Sequence, residues 1–172
     1  MIGQMIAESL QISLRYAEML AVGIEGSDFG RLAAVEGRMV DSNHPAWVYG
    51  HLSLYSPRIL TDLGIDSTPI EAPATWHDLF SASSRCQDDP QGTLYPPKEL
   101  LVDQLLRGYR MVQTVLAATP DAAFQVENQN ERMRSRFTTV GAMHNFYTGG
   151  HFMIHMGQIS AWRRMMGLGS AM

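Results

Sequence analysis

The sequence predicts an all-α protein, a four-helix bundle forming one domain over residues 1–172. Three observations lead there. Four long segments repeat apolar residues at spacings of three and four, the pattern of a helix with one buried face. Residues that start and stop helices flank those segments. A long stretch rich in Pro, Ser and Asp, from about 64 to 97, joins the second segment to the third. Inside a compact domain such a connection fits a crossover between parallel helices, because a short loop joins only antiparallel neighbours.

The first helix is expected over residues 4–25. Ile6, Leu10, Leu14, Ala17, Ala21 and Ile24 form its stripe, and glycines at 23, 26 and 30 weaken and then end it. A second short periodic piece runs through "RLAAVEGRMV". The second helix begins near "DSNHPAWVYGHL", where Asp41, Ser42 and Asn43 are capping residues and Pro45 suits a first helical turn. Pro57 should bend or split this helix, and Gly64 should stop it. Within the crossover a short helix is expected at 74–81. Pro97 opens the third helix, which buries Leu101, Leu105, Tyr109, Val112 and Leu116, and Pro120 lies just past its end. A polar loop, 119–137, leads to the last helix, from about Thr138 to Met166, ended by Gly167. No strand pattern, low-complexity tract or internal repeat is visible.

Composition narrows the function. Hydrophobic residues make up 45% and charged residues 17%, so the chain can bury a core without disulfides or a structural metal. A formal charge of −4 offers no basic surplus to a phosphate backbone, and no nucleic-acid partner is expected. No apolar run approaches the ~20 residues that span a bilayer. The N-terminus carries Glu8 where the apolar core of a signal peptide would lie. The expectation is a soluble, cytoplasmic protein without a membrane partner. The single cysteine, Cys86, cannot pair internally, which fits a reducing compartment. It sits in "SSRCQDD" beside one cation, Arg85, and reads as an incidental surface thiol.

The six histidines carry the functional signal. His151 and His155, in "GGHFMIHMGQ", are four apart and so share a helix face about one turn apart. Two imidazoles so placed can close on one metal ion, as in HExxH zinc helices. Here Phe152 stands where those helices carry their glutamate, which argues against that class of peptidase. Spacing alone fits a packed, hydrogen-bonded pair equally well. His51 is the candidate third ligand, from the middle of the second helix, and its neighbour Gly50 would let another element approach closely. Alone, His51 reads as a buried ring donating to a carbonyl. His144 shares the stripe of the pair but lies seven residues, about 10 Å, before His151. The same interval separates His44 from His51, and His77 falls in the crossover. These three read as non-ligands.

At this point the residues resemble a known family. "PAWVYGHL" is similar to the second helix of the DinB/YfiT-like metalloenzymes, and "HFMIHMGQISAWRRMMG" to their last helix. "YPPKELL" resembles the start of their third helix, and the segments follow in the family's order. The resemblance implies an up-down-down-up bundle with its long crossover between helices 2 and 3, often a homodimer. It also implies a divalent metal, zinc or nickel, on His51, His151 and His155. Family members include transferases and isomerases that use low-molecular-weight thiols, so the expected activity is a small-molecule, thiol-dependent S-transfer. The alternatives are a metal-dependent hydrolase or a non-catalytic, metal- or ligand-binding stress-response bundle.

Three neutral imidazoles would leave a divalent ion an open position, as in catalytic rather than structural sites. Gln158 could support His155 from one turn away, and Tyr55 and Tyr147 could line the pocket, although core packing also explains them. No carboxylate is placed by spacing to act as a base. Arg132, Arg134 and Arg136 read as a solvated loop, with an anion clamp as the sharper alternative. The twelve methionines read mostly as core filler.

Overall fold

The computed structural model describes residues 1–171, and Met172, the last residue of the expected domain, lies outside the described residues. The protein is all-α, about 60% helical and 4% strand. Helix α1 spans Ile2–Ala21 and buries Ile6, Leu10, Leu14 and Ala17 along the expected stripe. It ends four residues before the sequence suggests. Val22 turns extended and Gly23 takes φ 72°, while the buried Arg163 guanidinium donates to the carbonyls of Leu20 and Val22. Those carbonyls are the end groups a further turn would have consumed. Ile24 stays in the core from outside the helix.

The piece at 31–40 is not helical. Ala34–Val35 (β1) and Arg38–Met39 (β2) form a small antiparallel hairpin. Glu36 and Gly37 both have positive φ, 51° and 76°, the requirement of a type I′ turn. This corrects the expectation of no strand. Two-residue strands with exposed side chains are too short to show alternation.

Helix α2, Pro45–Ser53, is capped by none of Asp41, Ser42 and Asn43. Its N-cap is His44, whose ring Nδ1 accepts the Trp47 N–H at 3.2 Å while Nε2 donates to the Gln87 carbonyl at 2.8 Å. The helix splits before Pro57, as expected, and α3 runs over Ser56–Asp62, followed by Gly64 at φ 72°. In the crossover, one 3₁₀ turn at Thr68–Ile70 precedes α4, Trp76–Phe80, inside the predicted range. Helix α5, Lys98–Ala118, follows Pro97 and buries the five predicted residues. The loop at 119–137 holds two single turns, α6 (Asp121–Phe124) and α7 (Glu131–Arg134).

The last helix is continuous but not uniform. Helix α8, Val140–Asn145, passes through one π turn, Phe146–Gly150, into α9, His151–Met165. The His151 N–H reaches back five residues to the Phe146 carbonyl. Two local causes are visible. Thr148 donates its hydroxyl to the His144 carbonyl at 2.8 Å, competing with the helix ladder. Gly149 and Gly150 then hold the helix weakly, each costing about 1 kcal/mol relative to alanine.

Helix α1 packs against α5 and the α8–α9 helix, and α2 packs against α5 and α9. The core lies between them, around Leu10, Tyr49, Tyr109, Phe152 and Trp162. No helix among the described residues is long and apolar enough to cross a membrane.

Candidate metal centre

Two helices converge on one point. His51 comes from the last turn of α2, His151 opens α9, and His155 lies one turn further along α9. The His151 Nε2 sits 3.4 Å from the His51 Nε2 and 3.2 Å from the His155 Nε2. One ring nitrogen of each residue lies within 4.8 Å of the other two. Two ligands held about 2.05 Å from an ion at the tetrahedral angle are separated by about 3.3 Å. The observed spacings match that figure.

The outer nitrogens decide what the inner ones are. The His51 Nδ1–H donates to the Phe80 carbonyl at 2.7 Å, and a carbonyl only accepts. The His155 Nδ1–H donates to Gln158 Oε1 at 2.9 Å, and the Asn43 amide donates to the same oxygen at 3.2 Å. Both rings therefore turn a lone pair on Nε2 toward His151. His151 cannot donate to both, and its Nδ1 is buried without a partner among the described residues. Facing lone pairs repel unless a cation lies between them, so the donor set fits a divalent ion. Outer hydrogen bonds of this kind are what metal-binding histidines carry.

Burial sets the protonation. It pushes the His51 imidazole down to about 4, against the Phe80 carbonyl, which pulls the other way. It pushes His151 to about 3, helped by His155, His51 and Arg58. His155 is lowered by the same burial, partly offset by Gln158. The three rings are neutral at pH 7, the form a metal requires.

The chain builds this site by specific means. A Cβ on Gly50 would lie 2.5 Å from the Phe80 ring. The glycine thus admits Phe80, and Phe80 brings the carbonyl that orients His51. The close neighbour allowed by Gly50 is the short crossover helix α4. Trp47 stacks on His51 at 4.5 Å and 11°. Tyr55 packs on His51 and, at 4.4 Å between ring centres, on His151. Tyr147 touches Tyr55 at 5.0 Å and His151 at 6.2 Å. Sequence reasoning missed the parts played here by Phe80, Trp47 and Asn43. The "NHPAW" spacing could have marked Asn43 and Trp47, but a backbone carbonyl leaves no trace in sequence.

The other histidines lie apart. His144 is fully buried and its Nε2 donates to Asp62 at 3.2 Å. It does not share the stripe of the pair, because a π turn inserts one residue and rotates what precedes it by about 100°. His44 caps α2, and His77 is exposed on α4. Arg132, Arg134 and Arg136 are exposed. Cys86 is not a surface thiol: it is half-buried against the core, and burial pushes its pKa up to about 11. Arg85 lies 3.9 Å from Asp41 on the surface.

A cavity of about 660 Å³ is walled by α3, the crossover and Tyr147; none of the three histidines lines it, and Tyr147 links it to His151. In comparisons with known proteins, no family model, no curated protein and no solved structure matches the chain.

Proposed function

We propose that the protein is a metal-dependent enzyme of the DinB/YfiT-like kind, acting on a small molecule by thiol-dependent S-transfer or a related reaction. The observation that carries this reading is the convergence of the three Nε2 atoms, with two outer N–H groups anchored to Phe80 and Gln158. His51, His151 and His155 would hold a divalent ion, zinc or nickel. When bound, such an ion supplies Lewis acidity, lowering the pKa of a water or thiol so that either is a nucleophile at neutral pH.

The chain's own residues hold and shield the site. Phe80 and Gln158 fix two rings, Trp47 covers His51, Tyr55 packs on His51 and His151, and Tyr147 touches His151 and lines the neighbouring cavity. The all-histidine cluster favours a catalytic over a structural ion, because three neutral ligands leave the charge of the ion intact. The pairwise packing of α1 with α5 and α9, and of α2 with α5 and α9, supports a four-helix, up-down-down-up bundle. The long crossover between α3 and α5 supports the same order. The reading includes a cytoplasmic homodimer without nucleic-acid or membrane partners.

Cobalt substitution tests it. The cobalt-loaded protein should change its visible spectrum when a small thiol is added and should turn over a member of an electrophile panel. A spectrum indifferent to thiols, with hydrolysis of ester or amide probes instead, would replace S-transfer with the hydrolase reading. Metal uptake with no turnover of either panel would leave the non-catalytic binding bundle.

A further inference from the structure

The cavity beside the histidines has a charge pattern of its own. At about 660 Å³ it lies within the range of small-molecule sites. Arg58, Asp62 and Glu71 line it, together with apolar surface from Leu54, Pro57 and Ala72. The Arg58 guanidinium lies over the Tyr55 ring, 5.0 Å from its centre. Among the described residues, no carboxylate lies within 4.0 Å of it. Asp62 sits one turn further along α3 but turns to His144, which donates to it at 3.2 Å. Among the described residues, Glu71 accepts only from the neutral Ser67 hydroxyl, at 2.8 Å, so its charge has no counter-ion there.

The chamber therefore presents a positive charge on the side of Tyr55, whose ring packs on His51 and His151, and uncompensated negative charge on the crossover side. Arg58 is close enough to the histidines to help lower His51 and His151. A ligand that complements both walls carries one anion and one cation joined by a short apolar body. A plain dianion would meet Glu71, and a plain amine would leave Arg58 unpaired.

We propose that this cavity is the recognition chamber of the histidine centre and binds a small zwitterion, its carboxylate on Arg58 and its ammonium toward Glu71. The assignment of the chamber to a reaction rests on the metalloenzyme reading above; the binding does not.

The test uses the full chain freed of metal by a chelator, so that no probe can be held by an ion. Two isomeric zwitterions, L-norleucine and 6-aminohexanoate, are titrated by amide chemical shifts. Hexanoate and pentylamine, which each lack one of the two charges, are titrated alongside. At least one zwitterion should bind about tenfold or more tighter than either half, the scale of one charge-assisted hydrogen bond. Its shifts should centre on Thr61 and Ala72. R58M should remove the advantage over pentylamine, and E71Q the advantage over hexanoate. Both side chains are exposed, so neither variant threatens the fold. No saturable binding, equal binding of zwitterions and halves, or unchanged affinity in both variants would overturn the proposal. H151A separates the two readings: it should lose metal yet keep the zwitterion. Zwitterion binding without metal uptake in the wild type would sink the metalloenzyme reading and leave the chamber standing.

Discussion

At the scale of single residues, the site is a set of rings whose protons are placed from outside. His51 points its lone pair inward because the Phe80 carbonyl accepts from its Nδ1–H, and His155 does so because Gln158 Oε1 accepts from the other. Direct and supporting residues should thus separate in a competition titration against a chromophoric chelator. His51→Ala and His155→Ala should each weaken zinc binding by more than about 100-fold, despite the long stretch of chain between them. Gln158→Ala should cost roughly 10–100-fold, the usual loss when a supporting hydrogen bond goes. His144→Ala should leave affinity nearly unchanged, since His144 faces Asp62 rather than the cluster. Wild-type affinity in His51→Ala, with loss in His144→Ala, would show a different ligand set.

At the scale of elements, the site depends on two features, a close glycine contact within α2 and a π turn before α9. Gly50 admits the Phe80 ring, and the π turn before His151 fixes which faces of α8 and α9 are buried. Gly50→Ala should displace α4 by overpacking, at about 1–3 kcal/mol in denaturant unfolding, and should lower zinc affinity through the lost Phe80 contact. A variant that loses stability but keeps its affinity would mean another group can orient His51. The long helices were legible because burial of one face writes a period into the sequence: Leu101, Leu105, Tyr109, Val112 and Leu116 could serve little else. The three clustered histidines were legible as types and spacings, and the resemblance of their segments to a known family joined His51 to the pair. The π turn was not legible, because "FYTGG" is compatible with either winding until Thr148 and the two glycines are weighed together. The hairpin was hidden by strands two residues long. The role of Phe80 was hidden because its carbonyl is generic and lies 29 residues from His51.

At the scale of the whole molecule, the core and the site respond differently to solvent. The core joins α1, α2, α5 and α9 through apolar contacts that need no ion, so chelation should lower the melting temperature yet leave the helical circular dichroism at room temperature. Acid should act through the histidines. Burial lowers His44, His51, His151 and His155 below the ordinary value near 6.5. In the metal-free protein, the unfolded chain therefore binds more protons than the folded one once pH drops below about 6.5. The stability tied to these neutral rings is fully present above that pH. It is lost progressively as pH falls toward the folded values, about 4 for His51 and about 3 for His151. The carboxylates held below their ordinary value do not account for a loss in the upper part of this window. The folded values of Asp88, Asp89 and Asp121 lie below the ordinary 3.8, so their contribution fades only as pH approaches that figure. The urea midpoint of chelator-treated protein should thus fall steadily between about pH 7 and about pH 5. The fall should be shallower in His44→Gln, which removes one of the four rings while keeping a side-chain acceptor at the start of α2. A midpoint that is flat over this range would show that the rings are hydrated or already protonated in the folded protein.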